Sequence, residues 1–306
     1  MKRTRIVLAL TASAAMLTVA ACGSSDPLAS GGATTTSSSA GTIIVGSANF
    51  PENALLAEIY AGALTAKGVK VEKKLNIGSR EVYIPALQDG SIDLIPEYTG
   101  VLNQYFNKNT KATDSAGVYA ELKAALPTTL TVFDKSTAED KDAVVVTKAT
   151  ADKYKLKTIA DLQPIAKNLL LGGPPEWKTR PTGVPGLKKL YNLDFKTFRA
   201  LDTGGPLSVQ ALKNGQVDAV DLFTTDPSIA DNGFVILNDP KSLFAAQNVV
   251  PLITKSKVNA VISDALNAVS AKLDTATLGE LVKEVVVDKK DASVVAKEFL
   301  TKNSLG

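Results

Sequence analysis

The chain offers few side chains for covalent chemistry. It has no histidine, and Cys22 is its single cysteine. Histidine is the commonest metal ligand and general base, so zinc sites and the Cys/His or Ser/His/Asp catalytic arrangements are excluded. Neither a P-loop nor a G-x-G-x-x-G stretch occurs. Composition permits carboxylate-based hydrolysis, but no paired acids stand out, and no cofactor or metal is expected. What remains is binding chemistry, carried by two loops: Gly46-Ser47-Ala48-Asn49-Phe50-Pro51 and Gly172-Gly173-Pro174-Pro175-Glu176-Trp177. Each precedes a predicted helix, whose free backbone N–H groups favour an anionic group; the glycines serve equally well to shape turns. Trp177 is the only tryptophan and stands in a polar, Pro-rich loop, which points to a place in a cleft; packing under the loop is the alternative. Arg80 and Tyr83, one helical turn apart, either face the cleft or belong to a solvated helix surface.

Two related α/β units must position these loops. The segment Ala86-Leu87-Gln88-Asp89-Gly90-Ser91-Ile92-Asp93-Leu94-Ile95 returns as Ala211-Leu212-Lys213-Asn214-Gly215-Gln216-Val217-Asp218-Ala219-Val220. Leu87 and Leu212 are 125 positions apart, and the strand-ending Gly46 and Gly172 are 126 apart, so two separate similarities share nearly one offset. Each unit reads as an apolar strand, a loop and helix, a second strand (69–75 or 198–201), a helix and a short strand. Gly90 and Gly215 stand just past the second helix, where positive φ is cheap. Pro51 suits the first turn of a helix running to about Ala66. Continuous apolar strands alternating with amphipathic helices predict mainly parallel sheets covered on both faces. Ligands of such sheets bind beyond the carboxyl ends of the strands. Two facing lobes would then line one cleft with the two loops, and a body of this length favours two lobes.

The N-terminus decides the compartment. Lys2, Arg3 and Arg5 precede the uncharged run 6–21, which ends in Val19-Ala20-Ala21-Cys22; this is the layout of a secretory signal. A membrane-spanning helix needs about 20 apolar residues, more than this run supplies. A lone cysteine in an exported protein needs an explanation, and its position resembles a bacterial lipobox, in which the cysteine becomes the acylated first residue. Cys22 is therefore the expected lipidation site, with stable anchoring from several acyl chains. Residues 23–41 are almost entirely Gly, Ser, Thr and Ala and read as a flexible tether. Three of the 34 Lys+Arg lie in the signal, so the remainder matches the 31 Asp+Glu. A neutral body implies no nucleic-acid partner.

The motifs carry a family resemblance. Ser47-Ala48-Asn49-Phe50-Pro51-Glu52, residues 86–93 and Pro96-Glu97-Tyr98-Thr99-Gly100 resemble the substrate-binding proteins of osmoprotectant ABC importers, which take up glycine betaine, choline and related compounds. So do Leu171-Gly172-Gly173-Pro174-Pro175-Glu176-Trp177, Arg180, residues 186–191 and Thr224-Thr225-Asp226. The resemblance spans 42–306. It implies an α/β, two-lobed type II periplasmic-binding-protein fold, with the lobes joined by two crossover segments. Lobe 1 would hold 42–138 plus 250–306 and lobe 2 would hold 139–249, with C-terminal helices at about 256–269 and 278–300 packed on lobe 1.

Family members surround a quaternary ammonium with tyrosines, because a cation is attracted to ring faces in a dry pocket. Here Tyr98 stands at a cage position and Phe223 where a tyrosine is usual. Asp142 stands near a lost crossover tyrosine, and Gln247 and Asn248 replace an aromatic pair. Arg180 is available to clamp a carboxylate. The expected ligand-binding set is Ser47, Asn49, Phe50, Tyr83, Tyr98, Asp142, Trp177, Arg180, Phe223, Thr224, Gln247 and Asn248. The expected protein is a monomeric, exported, lipid-anchored binding protein, not an enzyme. It would deliver a quaternary ammonium compound to the permease subunits of an ABC importer; the alternative is a more polar solute, for uptake or sensing.

Overall fold

The computed structural model describes residues 41–306; the signal, Cys22 and the tether to residue 40 lie outside the described residues. The chain runs β1 (Ile43–Gly46), α1 (Pro51–Ala66), β2 (Val71–Lys74), α2 (Arg80–Gln88), β3 (Leu94–Tyr98), α3 (Thr99–Phe106), α4 (Ser115–Ala125) and β4 (Leu130–Val132). It then crosses to a second set: β5 (Asp142–Val146), α5 (Lys148–Tyr154), β6 (Leu170–Gly173), α6 (Val184–Tyr191), β7 (Thr197–Ala200), α7 (Pro206–Lys213), β8 (Ala219–Phe223), α8 (Pro227–Asp231) and β9 (Val235–Ile236). It returns through β10 (Val249–Thr254) and ends in α9 (Ala260–Ser270), α10 (Thr275–Val286) and α11 (Ala292–Lys302).

The strands form two five-stranded sheets, ordered β2-β1-β3-β10-β4 and β7-β6-β8-β5-β9. The orders correspond position by position, which is the structural counterpart of the sequence repeat. Asp93 and Asp218 show why the repeat keeps its acid. Asp93 accepts a hydrogen bond from the Ile44 N–H (2.9 Å) and donates its own N–H to the Ile44 carbonyl (2.8 Å). Asp218 does the same with Leu170, at 2.8 and 2.9 Å. Each acid clips the end of its α2- or α7-type helix turn to the central strand. Gly90 at φ +81° and Gly215 at φ +65° follow those helices in the left-handed region, where glycine carries no Cβ penalty.

The sheets are mixed rather than mainly parallel. Within each βαβ unit the pairing is parallel, β1 with β2 and β3, and β6 with β7 and β8. β10 runs antiparallel to β3 and β4, and β5 antiparallel to β8 and β9. The antiparallel members are the strands that arrive from the other lobe and enter the sheet from its opposite end. Both faces of each sheet are covered. In lobe 1, Ile43, Val45 and Leu94 pack with α1, α9, α10 and α11, while Ile92, Ile95 and Leu252 pack with α2, α3 and α4. In lobe 2, Val144, Val146 and Leu171 face one layer and Val145, Val220 and Leu222 the other. The predicted helix over 278–300 is two helices. Lys289 adopts φ +59°, and the Asp291 side chain accepts from the Ser293 N–H to cap α11, so the charged stretch between α10 and α11 is a helix stop and start. Among the described residues no helix is long and apolar enough to cross a membrane.

Candidate functional site

The lobe 1 wall is organised by Glu97, which sits in β3 with no solvent exposure. Arg80, the first residue of α2, donates to it through Nε (2.6 Å) and Nη2 (2.8 Å). Tyr83, one turn on, donates its hydroxyl to the same carboxylate (2.7 Å), and the Tyr98 N–H donates to its other oxygen (2.8 Å). A buried guanidinium requires such a partner. Burial pulls the Arg80 pKa down, but Glu97 and its other neighbours outweigh that and hold it above its ordinary value. β10 pairs Val249 with Tyr98, which brings Gln247 alongside. Its Oε1 accepts from the Val101 N–H (3.1 Å) of lobe 1, and its Nε2 lies 3.4 Å from Asp142 Oδ2 at the start of β5.

The lobe 2 wall is set by sheet register. Asp142 pairs with Phe223 and Val144 with Asp221. Side chains alternate along a strand, so Asp142, Phe223 and Asp221 project from the same face. Asp221 is 1% exposed, and neither of its carboxylate oxygens has a hydrogen-bond partner among the described residues. Burial, then repulsion from Asp142, pushes its pKa well above the ordinary carboxyl range. Burial likewise raises Asp142, against the pull of Arg180 and Arg80. Two buried acids on one sheet face favour a state in which at least one keeps its proton, the direction of both shifts.

Three rings meet between the walls. Phe50 lies 6.1 Å from Tyr98 in its own lobe and 5.0 Å from Phe223 across the cleft. The cavity beside them leaves about 50 Å³ for the centres of water-sized molecules. Beneath the rings, Glu52 joins the lobes: it accepts from the Tyr98 hydroxyl (2.7 Å) and from Thr225 Oγ1 of lobe 2 (2.6 Å). Burial raises its pKa despite those bonds. Asp140, at the crossover, accepts from the Thr225 N–H (3.1 Å) and from Thr224 Oγ1 (3.2 Å), and burial with Glu52 nearby raises it strongly. At the rim, Arg180 donates through Nε and Nη2 to Glu81 of lobe 1, at 3.1 and 2.8 Å.

The cavity brings together Asn49, Phe50, Tyr83, Tyr98, Asp142, Arg180, Phe223 and Gln247. Arg80 and Tyr83 are buried and face it; they are not a solvated surface. Four expected residues lie elsewhere. Ser47 is buried under its loop, its Oγ accepting from the Asn76 N–H (2.7 Å) and donating to the Ala48 carbonyl. Thr224, just past β8, is bonded to the crossover residues Lys141 and Asp140. Asn248 bonds Ser115 by its side chain and Thr99 Oγ1 by its N–H.

Trp177 corrects the expectation of a cleft aromatic. It has no exposure and stacks on Phe244 in the lobe 2 core, with centroids 6.0 Å apart and planes at 16°. The turn Pro175–Lys178 folds the ring back against Gly173, where an added Cβ would stand 3.3 Å from Trp177 Cε3 and 3.4 Å from Asp221 Cβ. The polar, proline-rich sequence conceals a single apolar side chain directed inward. The free helix N-termini also differ from expectation. A short 3₁₀ turn, not an α-helix, follows the second loop, and the first turn of α1 holds the buried acid Glu52. Arg180 is paired with Glu81 rather than open to a ligand carboxylate.

Sequence reasoning missed Glu52, Glu97, Asp140 and Asp221 as site-shaping acids. Asp221 carries a readable signal, a charge inside the apolar strand Ala219–Phe223. Glu52 and Glu97 lie within the quoted motifs without a role that the motif itself reveals.

Residues 41–302 match the family model described as the substrate binding domain of ABC-type glycine betaine transport systems. The carnitine transport binding protein OpuCC of Listeria monocytogenes is 28% identical over 272 residues, covering 86% of this chain and 87% of that one. A glycine-betaine-binding protein of Pseudomonas aeruginosa is 26% identical over 280 residues, covering 87% and 89%. The ergothioneine transport permease/ergothioneine binding protein EgtU of Helicobacter pylori is 26% identical over 271 residues, and the chain spans about half (48%) of its length. Among solved structures, a glycine betaine/carnitine/choline ABC transporter component superposes with TM-score 0.68 at 25% identity, covering 86% of this chain and 99% of that one. Apo YehZ from Escherichia coli gives 0.60 at 25% identity, covering 87% and 99%.

Proposed function

The chain belongs to the family of substrate-binding domains of ABC-type glycine betaine transport systems, and from that premise we propose that it captures a quaternary ammonium osmoprotectant for import. The relatives named for glycine betaine and carnitine support the ligand class. The observation that carries the reading is the meeting of Phe50, Tyr98 and Phe223, from both lobes, on a cavity that also bears Asp142. Ring faces and a carboxylate attract a cation whose methyl groups offer no hydrogen bonds.

We read lobe 1 as 42–138 plus 250–306 and lobe 2 as 139–249. Closure of the lobes would bring Glu81 to Arg180, Glu52 to Thr225 and Val101 to Gln247. The closed form would be the one offered to a permease. The family of transport-system binding domains supports a carrier rather than an enzyme, a monomer held to the outer face of the membrane through an acylated Cys22. The polar wall of Asn49, Gln247 and Asp142 favours a second reading, a more polar non-quaternary solute for uptake or sensing.

Titration of the purified protein with glycine betaine, choline, carnitine, proline and sugars, followed by Trp177 emission, separates the two. Trp177 is buried beside Gly173 and Asp221, behind the cavity wall, so occupancy changes its surroundings without direct contact. A saturable response to quaternary amines is expected. A response to proline or sugars alone would establish the second reading in its place.

A further inference from the structure

The charges around the cavity do not balance, and the imbalance has a sign. Two cations line it, Arg80 and Arg180. Arg80 is compensated by the bidentate Glu97 and Arg180 by the bidentate Glu81. Each guanidinium's third nitrogen adds a hydrogen-bond donor but no further charge. Asp142, Asp140 and Glu176 also line the cavity, Glu176 lying 3.6 Å from Arg180, and no lysine does so among the described residues. Asp142 receives a long contact from Gln247 and no salt bridge among the described residues, although Arg180 and Arg80 attract it from a distance. Behind it lies Asp221, buried, with both oxygens unpartnered among the described residues. The lining and its bonded partners therefore hold more carboxylates than guanidinium charges.

We infer that the preferred ligand is a net cation without a carboxylate, of the choline type, and that Asp142, backed by Asp221, selects it over zwitterionic betaines. This rests on the quaternary ammonium reading of the cavity and deepens it. A cation placed among the three rings supplies the missing counter-charge to Asp142. A betaine brings the same cation together with an anion, and that anion meets two arginines already neutralised and the Asp142–Asp221 pair, whose remaining charge repels it. In a cavity with little water, such repulsion is weakly screened. The buried pair also predicts a proton signature. Burial of both acids on one sheet face, with Asp142 repelling Asp221, favours a proton on the pair, and an arriving cation favours the ionised form, so binding releases that proton.

Isothermal titration of the purified protein with choline and with glycine betaine, near neutral pH in two buffers of different ionisation enthalpy, tests the inference. Choline is expected to bind at least about tenfold more tightly and to release protons, and Asp142→Asn is expected to weaken choline about tenfold while changing glycine betaine far less. Equal or tighter binding of glycine betaine, or equal weakening of both by Asp142→Asn, would overturn it. If Asp142→Asn does not fold, the wild-type preference and the proton release still decide. If neither compound binds, the quaternary ammonium reading itself fails, an outcome distinct from a reversed preference.

Discussion

Replacing Glu97 by alanine removes one carboxylate and strands four donors. Arg80 Nε and Nη2, the Tyr83 hydroxyl and the Tyr98 N–H all bond it at 2.6–2.8 Å. Glu97 has no exposure and Arg80 is 6% exposed, so water does not readily replace the lost acceptor. Removing one partner of a buried ion pair costs about 3–5 kcal/mol, because the remaining charge stays buried and unpaired. That is a large part of the roughly 5–15 kcal/mol that holds a typical domain folded. Urea unfolding of Glu97→Ala should show a lower midpoint at similar slope. The double replacement Arg80→Met with Glu97→Leu should cost less than Glu97→Ala alone, since no charge is then left behind. The cycle of single and double variants would thus be strongly non-additive. A loss below about 1 kcal/mol for Glu97→Ala, or simple addition of the single effects, would refute the view that Glu97 is the electrostatic anchor of the lobe 1 wall.

The rim pair is weaker, because Glu81 is partly exposed. Glu81→Gln should weaken ligand affinity by about two- to fivefold in calorimetric titration, in keeping with exposed ion pairs of up to about 1 kcal/mol. Burial alone would raise the Glu81 carboxyl, but Arg180 lowers it to about 2 from an ordinary 4.5. The bridge therefore favours closure fully above the ordinary value, and its contribution is lost as pH falls toward the lowered one. Asp221 has the opposite sign. Its raised pKa means that the folded protein binds more protons than the unfolded chain, so stability falls as pH rises from about 3.8 through the raised value. Asp221→Asn should flatten that fall and raise stability at neutral pH, as read by urea unfolding across that range. Phe223→Ala should weaken binding of a quaternary amine by up to about thirtyfold, the scale of a desolvated cation–π contact, while Phe223→Tyr should keep most of the affinity in the same titration.

The boundary between what was legible and what was not follows the range of the interactions. The strand end at Gly46, the one at Gly172 to within a residue, the helix start at Pro51 and the stops at Gly90 and Gly215 were readable because proline, glycine and the strand period act on neighbouring residues. The repeat at an offset of 125 was readable because each unit folds by its own local rules, and the Asp93 and Asp218 clips show that both units fold alike. The break between α10 and α11 was misjudged, because an apolar period continues on both sides of a charged stretch that in fact caps the next helix. The mixed pairing of the sheets was also missed, since strand direction depends on where a crossover strand enters and not on its composition.

By itself, the sequence determined the two-lobed α/β plan and the exclusion of His- and Cys-based chemistry, because these rest on residue types and on periodicity over a few turns, and its motifs carried the family resemblance. Only the tertiary structure decided the use of each charged and aromatic side chain. Trp177 lies in a core because its loop folds back on Gly173. Arg180 meets a carboxylate 99 residues away and Glu52 a hydroxyl 173 residues away, pairings that exist only where the two lobes approach. Whether an arginine in the cleft is free for a ligand or already neutralised is thus a property of that approach. It sets the sign of the charge left in the cavity, and no pattern along the chain encodes it.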